Sequence, residues 1–432
     1  MNYQVFTARN YKNIPQIKKL SPEDIHSIDV VSQVLPFRTN NYVVDELIDW
    51  DNYKTDPMFI FNFPQKEMLR TEHFNTISEL MVKGASNSEI RDAANIIREQ
   101  LNPHPAGQEH NLPSFKGELL EGVQHKYNET MLFFPSQGQT CHAYCTFCFR
   151  WPQFVGDSDL KFAMREIDTI IDYLKSHPEV TDILFTGGDP MVMSASILDT
   201  YISRILEADI KTLQTIRIGS KSLSFWPYRY LTDSDSEDVL NIFRKVAQSD
   251  KILSFMAHFN HPSELKTEAV KKATQKILDT GAQIRTQSPL LNHINTDGDA
   301  WAEMWKKQVK MGMIPYYMFV ARDTGAKEYF GVPLTKAVDI FRSAYTQVSG
   351  IARTVRGPSM SCNAGKVRVV GKEEVNGEEV FILEFIQGRN SQWVGQPFFA
   401  KHDDNALWID ELTPAFDEDK FFFEKELSEM LE

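Results

Sequence analysis

Residues 139–151 read QTCHAYCTFCFRW, directly after TMLFF (130–134), a run with the apolar and aromatic content of a strand. Three of the chain's four cysteines, Cys141, Cys145 and Cys148, are gathered here, and the fourth is Cys362. From this point short apolar runs alternate with amphipathic ones. LKFAMREIDTIIDYLKSHPEV (160–180) predicts a helix, and TDILFTGGDP (181–190) predicts a strand ending in a glycine turn. Strands follow at TIRIGSK (215–221), ILSFMAHF (252–259), AQIRTQSPLL (282–291) and IPYYMFVA (314–321). Helical patterns separate them at 195–209, 236–250, 263–281 and 299–312. Repeated β-then-α units imply a parallel sheet covered by helices, and this many imply a partial or full (β/α) barrel. In such folds sites lie at the C-terminal ends of strands. The cysteine loop, Gly187-Gly188-Asp189, Gly219-Ser220, His258 and Gln287 all fall there.

The 432 residues divide into an N-terminal helical region (1–115), the β/α core (116–345) and a C-terminal extension (346–432). In the first part Ser21 caps a helix over SPEDIHSIDVV, two helices break near Gly84, and NPHPAG (102–107) is a loop. In the last part KVRVVG and EEVFILEF form a hairpin about Asn376-Gly377, and DEDKFFFEKELSEMLE is an acidic amphipathic helix or tail. With 46 basic against 59 acidic residues the chain carries −13, which disfavours nucleic acid and anionic membranes. MNYQVFTARNYKNIPQIKKL (1–20) lacks the long apolar run expected of a signal peptide, no stretch approaches 18 uninterrupted apolar residues, and clustered cysteines do not suggest a disulfide framework. A cytoplasmic protein is expected.

Three thiolates spaced Cys-x3-Cys-x2-Cys cannot complete a tetrahedral structural zinc site alone. They suit a four-iron, four-sulfur cluster with one iron left open. Zinc with His142 as a further ligand, or unligated buried thiols, are the alternatives. The spacing resembles the radical S-adenosylmethionine (SAM) superfamily, whose open iron chelates SAM and whose cluster cleaves it to a 5′-deoxyadenosyl radical. Gly187-Gly188-Asp189, one βα unit later, matches the motif that receives the SAM amino group, where backbone close to a ligand demands glycine.

More narrowly, CHAYCTFCFRW, ILFTGGDPM, IRIGSKS, AHFNHPSE, RTQSPLLNHIN, IPYYMF and SGIARTVRGPSMSCNAGK, in this order over about residues 115–370, resemble the lysine 2,3-aminomutase family. The resemblance implies a SAM pocket lined by Arg217, Ser220, His258 and Gln287. It implies pyridoxal 5′-phosphate (PLP) anchored on Lys366, and Arg150 forked onto the substrate α-carboxylate. The phosphate of PLP falls to Lys126, which replaces one family arginine, while Thr130 stands at the other. The two aspartates that hold a lysine substrate's ammonium are replaced by Arg322 and Ser359. An arginine about 4 Å from an ammonium would cost about 4 kcal/mol at an effective dielectric near 20. An acidic amino acid, glutamate or aspartate, is therefore expected as substrate. Asp323, next to Arg322, keeps basic substrates open. The resemblance thus implies a PLP-dependent 2,3-aminomutase, an isomerase served by a flavodoxin- or ferredoxin-like reductant and able to form a homo-oligomer. Two alternatives remain: radical SAM chemistry without PLP on another small molecule or peptide, and a non-catalytic iron–sulfur or zinc protein. Cys362 has no evident ligand partner and reads as a buried thiol.

Overall fold

A computed structural model describes residues 1–102, 109–155 and 163–431. One sheet of eleven strands organises it. In chain order these are β1 (Val123–Tyr127), β2 (Thr130–Phe133), β3 (Asp182–Phe185), β4 (Thr215–Ser220), β5 (Ile252–His258), β6 (Gln283–Leu290), β7 (Ile314–Val320), β8 (Arg356–Ser361), β9 (Gly365–Val375), β10 (Glu378–Gly388) and β11 (Pro397–Lys401). Neighbours in sequence are neighbours in the sheet. Strands β2 to β8 run parallel, and β1 and β9 to β11 pair antiparallel at the two ends. Among the described residues no ladder joins β11 back to β1, so the sheet is an open mixed one, and the full barrel allowed by the sequence pattern is not formed.

Each parallel crossover carries a helix: α1 (Ile167–Ser176), α2 (Ala195–Glu207), α3 (Ser236–Ala247), α4 (Glu268–Leu278), α5 (Gly298–Lys310) and α6 (Leu334–Thr346). The helix expected from residue 160 begins at Ile167, and positions 160–162 lie outside the described residues. So does most of the loop expected at 102–107. Two of the N-terminal expectations hold, in a region that also pairs Val5–Thr7 antiparallel with Arg38–Asn40. Ser21 makes a capping box with Asp24, and helices Thr71–Val82 and Asn87–Leu101 flank Gly84. Asn376 and Gly377, both at positive φ, turn β9 into β10. The C-terminal helix is confined to Glu424–Leu431, because Phe421 and Phe423 are buried in a second apolar cluster with Phe385, Trp393 and Phe398. No helix among the described residues is long and apolar enough to cross a membrane.

Alternation along the strands decides what the sheet encloses. On β4, Ile216 and Ile218 are fully buried against the helices, while Thr215, Arg217 and Gly219 face the concave side. Strand β6 repeats this, with Ile284, Thr286 and Ser288 outward and Gln283, Arg285 and Gln287 inward. Each buried Ile or Phe on the helix side contributes about 1.5–3 kcal/mol. The inward positions of these two strands are mostly polar, and the concave face holds a cavity of about 800 Å³.

Candidate active site

The cavity is lined by Cys141, Cys145 and Cys148, by Gly187, Gly188 and Asp189, and by Lys126, Arg150, Arg217, Ser220, His258, Gln287, Arg322 and Lys366. Every residue singled out from the cysteine, glycine, SAM and PLP motifs therefore borders one space.

The cysteine loop is held from outside the β/α core. Tyr144 N donates to Arg38 O at 2.8 Å and Thr146 N to Phe61 O at 3.0 Å. His142 O accepts from Tyr3 Oη at 2.7 Å and from Asn40 Nδ2 at 3.2 Å, and Asn40 Nδ2 also reaches Phe225 O at 3.0 Å. The N-terminal region is thus part of the site's framework, which no motif announced. All three thiols are free, and burial pushes each of them up. Thiolates in such a setting need a positive partner to form. Among the described residues no three His, Cys, Asp or Glu side chains converge on one ion. A four-iron cluster needs no such convergence, since each cysteine takes a different iron. The donor set fits it.

The glycine turn packs on this loop. A Cβ on Gly188 would lie 2.4 Å from Thr140 O and 2.6 Å from Thr140 N, and one on Gly187 (φ +136°) 2.4 Å from Gln139 Nε2. Asp189 N donates to Thr140 O at 2.7 Å and Gly138 O at 3.1 Å. Close approach to the cysteine loop therefore already requires glycine here, before any ligand is considered. The Asp189 carboxylate is buried and occupied: it accepts from Ser220 Oγ (2.7 Å), Met191 N (2.9 Å) and Lys221 N (3.0 Å). Burial pushes its pKa up against these bonds. Asp189 and Ser220 thus tie β3 to β4. AHFNHPSE makes a similar knot. Glu264, fully buried, accepts from Lys221 Nζ at 2.6 Å, from His261 N at 2.7 Å, and from Ser224 Oγ and Asn260 N.

Other groups are left facing inward. His258 Nε2 is buried without a hydrogen-bond partner, and burial drives its pKa well down, so the ring is neutral. It is an orphaned polar atom in the wall where SAM is expected. Arg150 Nη2 is likewise buried and unpartnered, its guanidinium stacked 4.2 Å over Phe134 and lowered by burial to about 10. Arg217, by contrast, forks onto Asp182, with Nε to Oδ1 at 2.8 Å. Thr130 Oγ1 donates to the same carboxylate at 3.1 Å.

Lys366, the second residue of β9, pairs with Ser361 and lines the cavity. Its Nζ donates to Gln387 Oε1 at 2.9 Å and lies 4.3 Å above the Tyr317 ring. Burial, with Arg217 and Arg356 adding, lowers its pKa to about 7. An amine neutral near pH 7 can attack a carbonyl. Lys126 is also lowered to about 7, and its ammonium donates to Cys362 O. Cys362 is buried, as expected, with Sγ on Gly365 O at 3.4 Å.

Arg322 lies at the rim with Nη1 on Ser361 O at 2.8 Å and Nε 3.6 Å from Asp323 Oδ1. The expected partner position, Ser359, is not part of the lining. It is fully buried and donates to Met318 O at 3.3 Å. On β8, whose register with β7 shifts between Tyr317 and Phe319, Arg356 and Ser361 line the cavity. Arg285, Tyr316, Tyr317 and Arg356 are lining residues that motif reading missed. The polar inward phase of AQIRTQSPLL was the available signal for Arg285. In all, nine lysine and arginine side chains line the cavity against three carboxylates, and two of those, Asp182 and Asp189, are engaged as above.

No family model matches the chain. It is 30% identical over 397 residues to a putative L-lysine 2,3-aminomutase of Aquifex aeolicus, covering 92% of this chain and 93% of that protein. It is 30% identical over 264 residues to the L-lysine 2,3-aminomutase of Clostridium subterminale, covering 61% of this chain and 60% of that one. The glutamate 2,3-aminomutase of Clostridioides difficile is 26% identical over 254 residues, 59% of this chain and 55% of that one. A radical SAM methyltransferase of Sphaerobacter thermophilus superposes with a TM-score of 0.39 at 12% identity, over 66% of this chain and 93% of that one.

Proposed function

The chain belongs to the lysine 2,3-aminomutase family of radical SAM isomerases, enzymes of a [4Fe-4S] cluster, SAM and PLP, and from that premise we propose that it is a PLP-dependent amino-acid 2,3-aminomutase acting on glutamate or aspartate. The observation that carries the acidic substrate is the charge of the cavity: among the described residues nine lysine and arginine side chains line it against three carboxylates, and the cations remain in excess even with Lys126 and Lys366 brought to about 7 by burial, inside a chain whose net charge is −13.

When bound, the cluster and SAM supply the 5′-deoxyadenosyl radical, and PLP supplies the carrier for the migrating nitrogen. The chain's own residues then divide the work. Cys141, Cys145 and Cys148 hold the cluster, and Gly187, Gly188 and Asp189 fix the turn that seats their loop. His258, with an open nitrogen, and Gln287 bind SAM. Arg217 and Ser220 keep the adjoining wall in place through Asp182 and Asp189. Lys366 holds the PLP aldehyde, for which a near-neutral amine is suited. Arg150 takes the α-carboxylate with its unpartnered Nη2, where charge-assisted bonds orient as well as bind. Arg322 takes the distal carboxylate. A distal ammonium about 4 Å away would be disfavoured by about 4 kcal/mol, roughly a thousandfold. The electron comes from a flavodoxin- or ferredoxin-like donor, and three free thiols suit a reducing cytoplasm.

The test is product analysis. Anaerobically reconstituted protein is incubated with SAM, PLP, a reductant and a panel of amino acids, and 5′-deoxyadenosine and β-amino acids are followed by mass spectrometry. β-Glutamate or β-aspartate is the expected product. β-Lysine would overturn the acidic substrate, and deoxyadenosine with no β-amino acid from any candidate would overturn the aminomutase assignment.

A further inference from the structure

A second group of cations lies on the cavity floor, away from the cysteine loop. Between β6 and β7 the register jumps from Thr286↔Pro315 to Gln287↔Tyr317, which leaves Tyr316 as an extra residue. Such a bulge re-aims side chains. Here it turns two consecutive tyrosines, Tyr316 and Tyr317, toward the cavity. Their rings carry three cations. Arg285 and Arg356 lie 5.2 and 4.9 Å from the Tyr316 centroid, and Arg356 and Lys366 lie 5.6 and 4.3 Å from that of Tyr317. Among the described residues the only other bonds from these guanidinium groups are Arg356 Nη1 to Tyr317 Oη and Arg285 Nη2 to Gln283 Oε1, both 3.3 Å. Neither arginine has an acidic partner among the described residues, whereas Arg217 beside them is held by Asp182. Aromatic faces attract each cation but do not cancel the repulsion between them. An anion would.

Resting on the assignment of PLP to Lys366, we infer that Arg356, assisted by Arg285, binds the phosphate of that cofactor. The phosphate of PLP hangs from the ring carbon next to the one bearing the aldehyde, so it lies about one ring's width from the lysine nitrogen. Tyr317 spans that separation, with Lys366 on its face and Arg356 at its hydroxyl. Lys126 is the weaker candidate, because its ammonium is given to Cys362 O and its charge is half lost near pH 7. A guanidinium keeps its charge and offers a planar fork to a phosphate.

The experiment titrates anaerobically purified apo-protein with PLP and with pyridoxal, which has the aldehyde but no phosphate. The visible band of the lysine-bound form is followed in the wild type, Arg356→Ala, Arg356→Lys, Arg285→Ala and Lys126→Ala. Losing one charge-assisted contact weakens binding about 10- to 100-fold. Arg356→Ala should lose this much for PLP and nothing for pyridoxal, Arg356→Lys should recover part, Arg285→Ala should show a smaller phosphate-specific loss, and Lys126→Ala should lose less. Equal PLP binding by wild type and Arg356→Ala overturns the inference, as does an equal loss for both aldehydes. Unchanged PLP binding with a raised KM for the amino acid also overturns it and gives the arginine to a substrate carboxylate. A wild type with no band for either aldehyde defeats the assignment of Lys366 itself, a different failure that takes this inference with it.

Discussion

Gly188→Ala tests whether the glycine turn serves the cysteine loop or the ligand. The added Cβ would lie 2.4 Å from Thr140 O, 2.6 Å from Thr140 N and 2.7 Å from Gln139 C. All three are backbone atoms and cannot swing aside. To restore ordinary contact the loop must retreat by about 1 Å, and such overpacking costs about 1–3 kcal/mol. The retreat also strains the bond from Asp189 N to Thr140 O, now 2.7 Å, which adds about 1 kcal/mol. Cys141 is the next residue, so one of the three candidate cluster ligands moves with the clash. The control is Gly350→Ala, where a Cβ meets nothing within 4 Å and φ is not positive. Iron and sulfide per chain, the spectrum of the reduced cluster and the melting temperature are measured after anaerobic reconstitution. Gly188→Ala should melt lower and load iron poorly, while Gly350→Ala should match the wild type. A Gly188→Ala protein with a normal cluster that fails to bind SAM would refute this reasoning and return the glycine to the ligand. Normal loading and normal SAM cleavage would refute the close approach itself.

Lys366 gives a pH signature. Burial lowers it from 10.5 to about 7, with Arg217 and Arg356 adding and Tyr316 and Asp182 opposing. Capture of the PLP aldehyde, followed by absorbance, should therefore accelerate through about pH 7 and level off, where an ordinary lysine would keep accelerating to about pH 10. Between about pH 7 and 10.5 the unfolded chain holds the proton that the folded chain lacks, so apo-protein stability should rise with pH in that window and Lys366→Met should remove that contribution. A melting profile unchanged by Lys366→Met at every pH would contradict the shift. Asn40→Ala deletes a fully buried side chain that bonds His142 O, Phe225 O and Val43 N, and should cost about 2–4 kcal/mol. Because His142 follows Cys141, iron retention should fall at temperatures where the chain is still folded; full retention would limit Asn40 to stability.

The β/α series was legible because each strand and helix declares itself within about ten residues, through its own period and punctuation. Ser21, Gly84 and Asn376-Gly377 mark ends or turns that the chain obeys. The lining of the site was legible for a related reason. In a parallel sheet the inward residues near the strand ends must share one space, so His258 and Gln287 meet once the alternation is known, and Gly187 and Ser220 join them where their strands end. What stayed hidden depends on register between strands and on segments far apart in sequence. Asn40 and Arg38 reach the cysteine loop across about a hundred residues.

Two one-residue slips make the same point about specificity. At the β6–β7 junction the slip exposes Tyr316 as well as Tyr317. At β7–β8 a second slip lies between Arg356, which lines the cavity, and Ser359, which is buried. Beside such slips the alternation of faces cannot be counted straight along the strand. Aligning linear motifs therefore names the right strand and the wrong residue. At Ser359 it expected a neutral group beside the substrate, while the strand actually offers a cation three positions earlier. The charge argument therefore rests on Arg150 and Arg322, because Arg356 is assigned to the cofactor phosphate. With Arg150 from the cysteine loop and Arg322 just beyond β7 both lining the cavity, the preference rests on more than one matched pair. Exchanging Arg322 alone would therefore weaken the preference for an acidic substrate without reversing it.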